Sequence, residues 1–227
     1  AAKRCTLRDL LGMTAGIPVS ADEVLKKLEN PNAQDAFEII KQLKGPPVGA
    51  ARVESRVSFL AGAYALLKDP LAKNTPEQFA ALMQTQLLEP LGISAKLALS
   101  VASCSLKMSA QDAFSWLYAE ANRGRSVQGK QIVQPSLVLE RYKAVPVKGD
   151  QAFGLGWQRD DYEGLEMISR LWIDKNRCAM IGVFPRYRAG MLVLIEGANE
   201  DTPLSVQDIF LNMADLLRET PLPPPND

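Results

Sequence analysis

The order of helix and strand signals constrains the fold of this chain more than any other feature of its sequence. Signals for the start of a helix dominate the first 145 residues, whereas β-prone segments follow one another between residues 153 and 196. A last helical pattern begins at Ser205. Helices followed by a run of strands are typical of proteins whose helices cover an antiparallel sheet. The order therefore predicts an α+β fold: a helical region, then an antiparallel sheet closed by a C-terminal helix.

Five segments carry the side chains that begin a helix. In each, a hydroxyl residue is followed three positions later by an acidic or amide residue, so that each side chain can bond the other's backbone N–H. The pattern is strongest at Ser20 and Thr75 and weaker at Thr6, Ser109 and Ser205. Apolar residues at helical spacing after Ser109 and Ser205 predict core-facing stripes. These are Phe114, Leu117, Tyr118 and Ala121, then Val206, Ile209, Phe210, Met213, Leu216 and Leu217.

Four apolar or β-prone segments predict the strands, with a hairpin connection at residues 185–190 and a turn at residues 160–163. The predicted strands are residues 153–158, 165–173, 178–184 and 191–196. The predicted regions are a mainly helical part at 1–145, the sheet with its helix at 146–219 and a proline-rich tail at 220–227. We expect them to form one structural unit.

The composition excludes several classes of function. The chain has 227 residues, no histidine, and 26 basic against 26 acidic residues. Without histidine, Ser-His-Asp and Cys-His mechanisms are impossible, and we expect no metal site and no cofactor. Balanced charge argues against a nucleic-acid binder. No apolar run approaches the length that spans a bilayer, so we expect no membrane span.

Three cysteines, Cys5, Cys104 and Cys178, are widely separated in the sequence. An odd number allows at most one internal disulfide, and no Cys-x-x-Cys pair is present. Free buried thiols are the favoured interpretation, and one disulfide is the alternative.

Five segments, in order, read TLRDLLGMTAGIP from Thr6, GAYALL from Gly62, LEPLGI from Leu88, LKMSAQD from Leu106 and FGLGW from Phe153. They resemble the motifs TLRDLLxHTSGIP, xGYxLL, ILEPLGM, GLxxSAxDLARF and YGLGW of the β-lactamase-related serine hydrolases, which include class C β-lactamases and penicillin-binding proteins. The resemblance implies a β-lactamase/transpeptidase-like fold, truncated before its Ser-x-x-Lys segment. It also implies a periplasmic or secreted location, with a cytoplasmic one left open.

The catalytic motifs of that family do not match this chain. No serine has a lysine three residues later. The Tyr-x-Asn motif, which shuttles protons and binds substrate in the family, falls on Phe59, Leu60 and Ala61, or on Ser55 and Val57 with a different anchor. The family's Lys-Thr-Gly or His-x-Gly triplet is absent near Trp172–Lys175. Four residues are therefore candidates for a vestigial site, namely Phe59, Ala61, Asp174 and Lys175.

The resemblance leaves three hypotheses. The first is a catalytically degenerate scaffold that binds a protein partner, another copy of itself, or a cell-wall-like or other small-molecule ligand. The second is the C-terminal part of an active esterase, amidase or peptidase whose Ser-x-x-Lys segment lies outside this chain. The third is a helical adaptor with an incidental likeness to hydrolases.

Two surfaces of the chain are candidate interfaces. In the family, strands from both chain ends form the sheet, so this chain is expected to present an unpaired sheet edge that favours dimerisation or a separately supplied segment. Arg186, Tyr187 and Arg188 form a basic-aromatic cluster at the predicted hairpin tip. The cluster is a contact site for an acidic partner or, alternatively, a solvated turn.

Overall fold

A computed structural model describes most of the chain, and its residues form two compact units. The described residues are 5–28, 33–49, 52, 55, 57–58, 61–62, 65, 76–95, 97–100, 103–106, 108–143, 152–174, 176–197, 199 and 201–222. The first unit comprises residues 1–88, 95–107 and 143–156, and the second comprises residues 89–94, 108–142 and 157–227. The sequence-based boundary at residue 145 and the single structural unit stay predictions.

The first unit is mainly helical. Its elements are α1 (Leu7–Leu11), α2 (Ser20–Lys26), α3 (Ala33–Gln42), α4 (Pro76–Met83) with a π-helical turn at Gln84–Leu88, and the strands β1 (Leu97–Ser100), β2 (Ser103–Leu106) and β3 (Ala152–Phe153). Residues 57–58, 61–62 and 65 are also helical. The core of this unit forms where α2 and α3 pack together. Its buried residues are Ile17, Ala21, Leu25, Ala36, Ile39 and Val57.

The capping box predicted at Ser20 is wrong. Helix α2 already includes Ser20, and its cap, Val19, makes no side-chain hydrogen bond to the helix. The Ala21 and Asp22 N–H groups donate to the carbonyls of the two residues before Ser20, at 3.0 and 2.9 Å, so the helical turn begins ahead of the predicted cap. The box predicted at Thr75 lies outside the described residues.

The second unit combines helices with an antiparallel meander. Its elements are a 3-10 turn (Glu89–Leu91), α5 (Ala110–Ala121), α6 (Pro135–Tyr142), β4 (Gln158–Tyr162), β5 (Leu165–Asp174), β6 (Arg177–Phe184), β7 (Ala189–Glu196) and α7 (Thr202–Arg218). The strands lie in the order β4-β5-β6-β7, and each is antiparallel to its neighbour. The α+β prediction is confirmed. No described helix is long and apolar enough to cross a membrane.

Both faces of this meander are covered by helices. On one face, α7 buries Val206, Phe210 and Ala214 against side chains of β5, β6 and β7. On the other, Leu117 of α5 packs with Val183 and other buried residues. Because strand side chains alternate between faces, β6 supplies Cys178, Met180 and Phe184 to the first face and Ile181 and Val183 to the second.

The stripes predicted on α5 and α7 are only partly buried. Leu117, Ala121, Val206 and Phe210 are buried, whereas Phe114, Ile209, Met213 and Leu216 are exposed. Helical periodicity defines the apolar arc of a helix but not how much of that arc a neighbour covers. On α7 the arc is wider than the sheet beneath it.

Two of the strand predictions also need correction. The predicted strand at residues 153–158 is split into β3 and β4, with Gly156 between them at a φ of +82°. The turn predicted at residues 160–163 is wrong for its first three residues, because Asp160–Tyr162 pair with Leu165–Met167 in a hairpin. The connection predicted at 185–190 is a turn only at residues 185–188, because Ala189 and Gly190 already pair with Phe184 and Val183 of β6.

Helix α5 begins with the capping box that the sequence predicts. The Ser109 hydroxyl accepts from the Asp112 N–H at 3.1 Å, and the Asp112 carboxylate accepts from the Ser109 N–H at 3.2 Å. The same carboxylate accepts from the Ser94 N–H at 2.6 Å. These hydrogen bonds, led by the Ser94 N–H, lower the pKa of Asp112 to about 2. The box at Thr6 is confirmed in the same way.

The capping signal at Ser205 is wrong by four residues, because the residue at the cap is Asp201. Helix α7 starts at Thr202 with Pro203 in its first turn. The Asn199 side chain accepts from the Thr202 N–H and hydroxyl at 3.0 and 2.8 Å, so the preceding loop fixes the start.

Replacing Gly182 tests the packing of α7 on the sheet. A Cβ at Gly182 would overlap the tip of the Phe210 ring, which stacks on Phe184 with 5.7 Å between ring centroids. We expect Gly182→Ala to lower the free energy of unfolding by about 1–3 kcal/mol because the core is overpacked. Urea denaturation measures it. In the Phe210→Leu background, Gly182→Ala should lower the free energy of unfolding clearly less, because the ring that the new methyl group would overlap is gone. An equal loss of stability in both backgrounds would contradict the contact between residues 182 and 210.

The Asp112 carboxylate gives the stability a defined dependence on pH. Its folded pKa lies below the unfolded value of about 3.9, so its contribution is complete above that value and is lost as the pH falls toward 2. We expect the free energy of unfolding to fall less between about pH 5 and about pH 2 in the Asp112→Asn variant than in the unsubstituted chain. Urea denaturation across this range checks it. An unchanged pH profile in the variant would be the contrary result.

Candidate functional site

The opening motif folds into a closed set of hydrogen bonds around Asp9. The carboxylate accepts from the Thr6 backbone N–H at 2.8 Å and from the Thr6 hydroxyl. The Thr14 hydroxyl donates to the other carboxylate oxygen at 3.3 Å, and the Thr14 N–H donates to the Asp9 carbonyl at 2.8 Å. Asp9 and Thr14 are both buried. These polar side chains therefore stabilise the turn after α1.

The helical residues on either side of the Tyr-x-Asn position at 59–61 pack directly on α1. The Ser58 hydroxyl donates to the Leu10 carbonyl at 2.8 Å, and a side chain at Gly62 would meet the Leu11 side chain. Between them, Ala61 is completely buried. Phe59, the other vestigial-site candidate of this segment, lies outside the described residues. Ala61 is thus placed in a packed core.

The alternative positions for the same motif, Ser55 and Val57, also lie in the interior. Both residues are buried, and both donate to one carboxylate oxygen of Asp22, the Ser55 hydroxyl at 3.0 Å and the Val57 N–H at 2.9 Å. The Ser55 hydroxyl in turn accepts from the Ser58 N–H at 3.3 Å. This network links α2 to the helical residues around Ser58.

At the predicted triplet position, β5 ends at Asp174, whose backbone pairs with Arg177 of β6. Its side chain and Lys175 lie outside the described residues. Beside this end of the sheet, Trp172 is exposed, and the Arg177 guanidinium carbon lies 5.6 Å from the centroid of its ring.

The hairpin tip presents an exposed arginine. Arg186 is exposed, whereas Tyr187 and Arg188 are half-buried, and the Tyr187 ring packs against the core under α7. The Tyr187 N–H donates to the Phe184 carbonyl at 3.0 Å, which closes the turn.

Two of these candidates, Asp174 and the hairpin tip, belong to the second unit, and the structure holds them apart. Ala61 belongs to the first unit. Within the second unit, Asp174 pairs at the Arg177 end of β6 and the hairpin tip follows its Phe184 end. Seven residues of extended chain separate these ends by about 23 Å. Asp174 and the cluster at residues 186–188 cannot share one small-molecule site.

The two described thiols lack the environment of an activated nucleophile. Cys5 is exposed, but its thiol is partly withdrawn from solvent, and this partial burial raises the pKa of the thiol. The nearby negative charge of Asp9 raises the same pKa further. A catalytic cysteine needs the opposite shift, because the thiolate is the nucleophile. Cys178 is free and completely buried in the core under α7. The Cys104 side chain lies outside the described residues.

A buried charged cluster in the second unit was missed by the sequence analysis. The Arg141 guanidinium donates to both Glu120 oxygens at 2.8 and 2.7 Å, and the Tyr142 hydroxyl donates to Glu120 at 2.6 Å. Burial, and then the Glu120 charge, raise the pKa of Tyr142, so this hydroxyl stays protonated. The cluster ties α5 to α6. Its only sequence signal is a glutamate between Leu117 and Ala121 on a predicted apolar face.

Among the described residues, no three cysteine, aspartate or glutamate side chains lie together as a metal site would require. At the positions where the family's motifs fall, the described residues form structural hydrogen-bond networks.

Solved structures with a similar fold match the chain at low sequence identity. The crystal structure of SurE with D-Leu superposes with a TM-score of 0.68 at 19% identity, over 98% of this chain and 57% of that one. The β-lactamase/D-alanine carboxypeptidase from Yersinia pestis complexed with citrate gives 0.76 at 17% identity, over 96% and 71%. The octameric penicillin-binding protein homologue from Pyrococcus abyssi gives 0.65 at 12% identity, over 91% and 55%.

Sequence comparison adds no closer relative, since no family model and no curated protein matches the chain. The chain spans 57% of the first of these structures and 55% of the third, so it corresponds to little more than half of their length. The likeness covers nearly all of this chain. Its fold is that of the β-lactamases and penicillin-binding proteins, as the five sequence motifs predict.

Proposed function

We propose that this chain is a catalytically degenerate protein with the β-lactamase fold, which acts by binding or assembly. The proposal rests chiefly on Ala61. The resemblance places the family's substrate-binding asparagine there, and a substrate can be bound only by a side chain that it can reach. Ala61 has neither a polar group nor any exposed surface. The alternative positions, Ser55 and Val57, are equally buried.

The chemistry of the rest of the chain supports the same proposal. No serine is followed by the lysine that activates it in the family, and no histidine can replace that lysine. The Cys5 thiol has a raised pKa, which favours the unreactive protonated form.

We further propose that the bound partner is a protein, including another copy of the chain, or a cell-wall-like small molecule. Self-association is supported by the octameric state of the Pyrococcus abyssi homologue. A cell-wall-like ligand is supported by the names of two neighbours, one solved with D-Leu and one a D-alanine carboxypeptidase. An acidic protein partner would meet the exposed Arg186 at the hairpin tip, with Tyr187 and Arg188 behind it.

A second candidate function is that of one part of an active serine hydrolase. This candidate is supported by the length of the solved neighbours, because the chain matches only 55–71% of each of them. In that case a Ser-x-x-Lys segment outside this chain would supply the nucleophile, and this chain would supply the wall of the site.

Restoring the family's amide at position 61 tests whether that position opens onto a site. We expect Ala61→Asn to lower the free energy of unfolding by about 1–3 kcal/mol, because a polar amide would be buried in a packed core. The matched control is Ala65→Asn. Ala65 lies four residues later, is also helical and is half-buried. It should cost less than about 1 kcal/mol, mainly through helix propensity. Equal, small costs for both variants would indicate an accessible cleft.

Covalent probes test the loss of chemistry directly. We expect no adduct by intact mass spectrometry after incubation with a fluorophosphonate or a fluorescent β-lactam. Heat-unfolded protein serves as the control for non-specific reaction. Stoichiometric labelling of one serine in the folded chain would overturn the degenerate assignment. Labelling that arises only when a Ser-x-x-Lys segment is added would support the second candidate.

A further inference from the structure

The loop between α5 and α6 carries three positive charges and no negative one. Arg123, Arg125 and Lys130 are all exposed, and residues 123–131, which we call the basic loop, include no aspartate or glutamate. Within the part of the chain that the structure describes, none of the three side chains forms an ion pair or lies over an aromatic ring. Their charges are therefore uncompensated at the surface of the second unit.

Several other arginines of the described residues use their guanidinium groups in contacts within the chain. Some pair with carboxylates, namely Arg141, Arg159 and Arg218. Others lie over or beside aromatic rings, namely Arg52 and Arg177. At the basic loop the same type of group has no such contact and is available to another molecule.

The dipole of α5 accounts for only one of the three charges. The helix ends at Ala121, and Arg123 follows its last turn, where a positive charge is stabilised by the free carbonyls of the helix. This stabilisation falls off within the last turn. Arg125 and Lys130 lie further along the chain, so the helix dipole does not explain them.

Hydrogen bonds across the basic loop hold its cations close together. The Ser126 N–H donates to the Lys130 carbonyl at 2.8 Å, and Arg125 pairs with Gln131 in an antiparallel bridge. The Gln131 side chain also donates to the Arg123 carbonyl at 2.8 Å. Arg125 and Lys130 therefore occupy neighbouring positions on facing segments, and Arg123 is tied to the same bridge.

A glycine at the base of the loop fixes its shape. Gly124 has a φ of +86°, and a Cβ there would overlap the Val133 carbonyl oxygen. Its N–H donates to the Ala119 carbonyl at 2.6 Å, and its carbonyl accepts from the Ile132 and Val133 N–H groups at 2.9 and 3.1 Å. The loop backbone is thus ordered before any partner binds, which lowers the entropy lost on binding.

An acidic segment of a protein matches the basic loop best. Two of its three cations are arginines, whose planar forks bind carboxylates through paired hydrogen bonds. Like charges held together in one loop repel each other, and an anionic partner offsets this repulsion. A lipid surface fits less well, because basic clusters that bind anionic lipids carry about four to eight lysines and arginines.

We propose that the basic loop is a docking site for an acidic segment of a partner protein. The inference rests on the binding part of the proposed function and adds a surface other than the hairpin tip at Arg186. The experiment below reports on the two surfaces separately, so one can fail without the other.

Nuclear magnetic resonance titration of isotope-labelled protein with an octaglutamate peptide locates the contact. At low salt, where surface charges are least screened, we expect the largest shifts of amide signals at Gly124, Gly129 and Lys130. An octaglutamine peptide is the matched probe without charge, and it should leave these signals in place. Shifts confined to residues 185–188 would assign the acidic partner to the hairpin tip and overturn the proposal.

Charge reversal tests the contribution of the arginines. We expect Arg123→Glu combined with Arg125→Glu to weaken octaglutamate binding at least about tenfold, because two attractions become repulsions. The matched control is Lys26→Glu combined with Lys27→Glu, which changes the net charge equally at two exposed lysines of the first unit. It should leave the affinity nearly unchanged. Circular dichroism confirms that both variants fold.

Three further results would overturn the proposal. One is the absence of shifts at every octaglutamate concentration. The second is equal weakening by the loop variant and the lysine variant, which would indicate a response to net charge alone. The third is binding to phosphatidylserine vesicles, lost in the loop variant, without binding to octaglutamate, which would assign the loop to a lipid surface.

Discussion

The burial of both faces of the β5–β6–β7 sheet is the constraint on which the second unit depends. Phe210 of α7 fits against the backbone of Gly182 on one face, and Leu117 of α5 packs with Val183 on the other. Because neighbouring residues of β6 serve opposite faces, the sheet cannot slip by one residue without exposing both sets. Register and helix placement both follow from this arrangement.

In the first unit, hydrogen bonds between buried polar groups join the helices. Asp22 accepts from Ser55 and Val57, Asp9 binds Thr6 and Thr14, and Ser58 binds a carbonyl of α1. A buried hydroxyl or carboxylate must be satisfied by hydrogen bonds, and these groups satisfy one another. These polar groups therefore serve the packing of the first unit.

Helix α7 leaves Ile209, Met213 and Leu216 exposed beside the residues that it buries against the sheet. An uncovered apolar stripe of this kind is stabilised by contact with another apolar surface.

The sequence by itself determined the fold class, the motif order, the absence of histidine and of a Ser-x-x-Lys string from the given residues, and the caps at Thr6 and Ser109, because these depend on composition and on neighbours a few positions apart. Only the tertiary structure decided that Asp22 bonds Ser55 and Val57, which lie more than thirty positions away. It alone decided that Phe114 and Leu216 are exposed, and that Glu120 meets Arg141 and Tyr142 in the interior. Periodicity states which residues are apolar, but what covers them depends on contacts between distant segments.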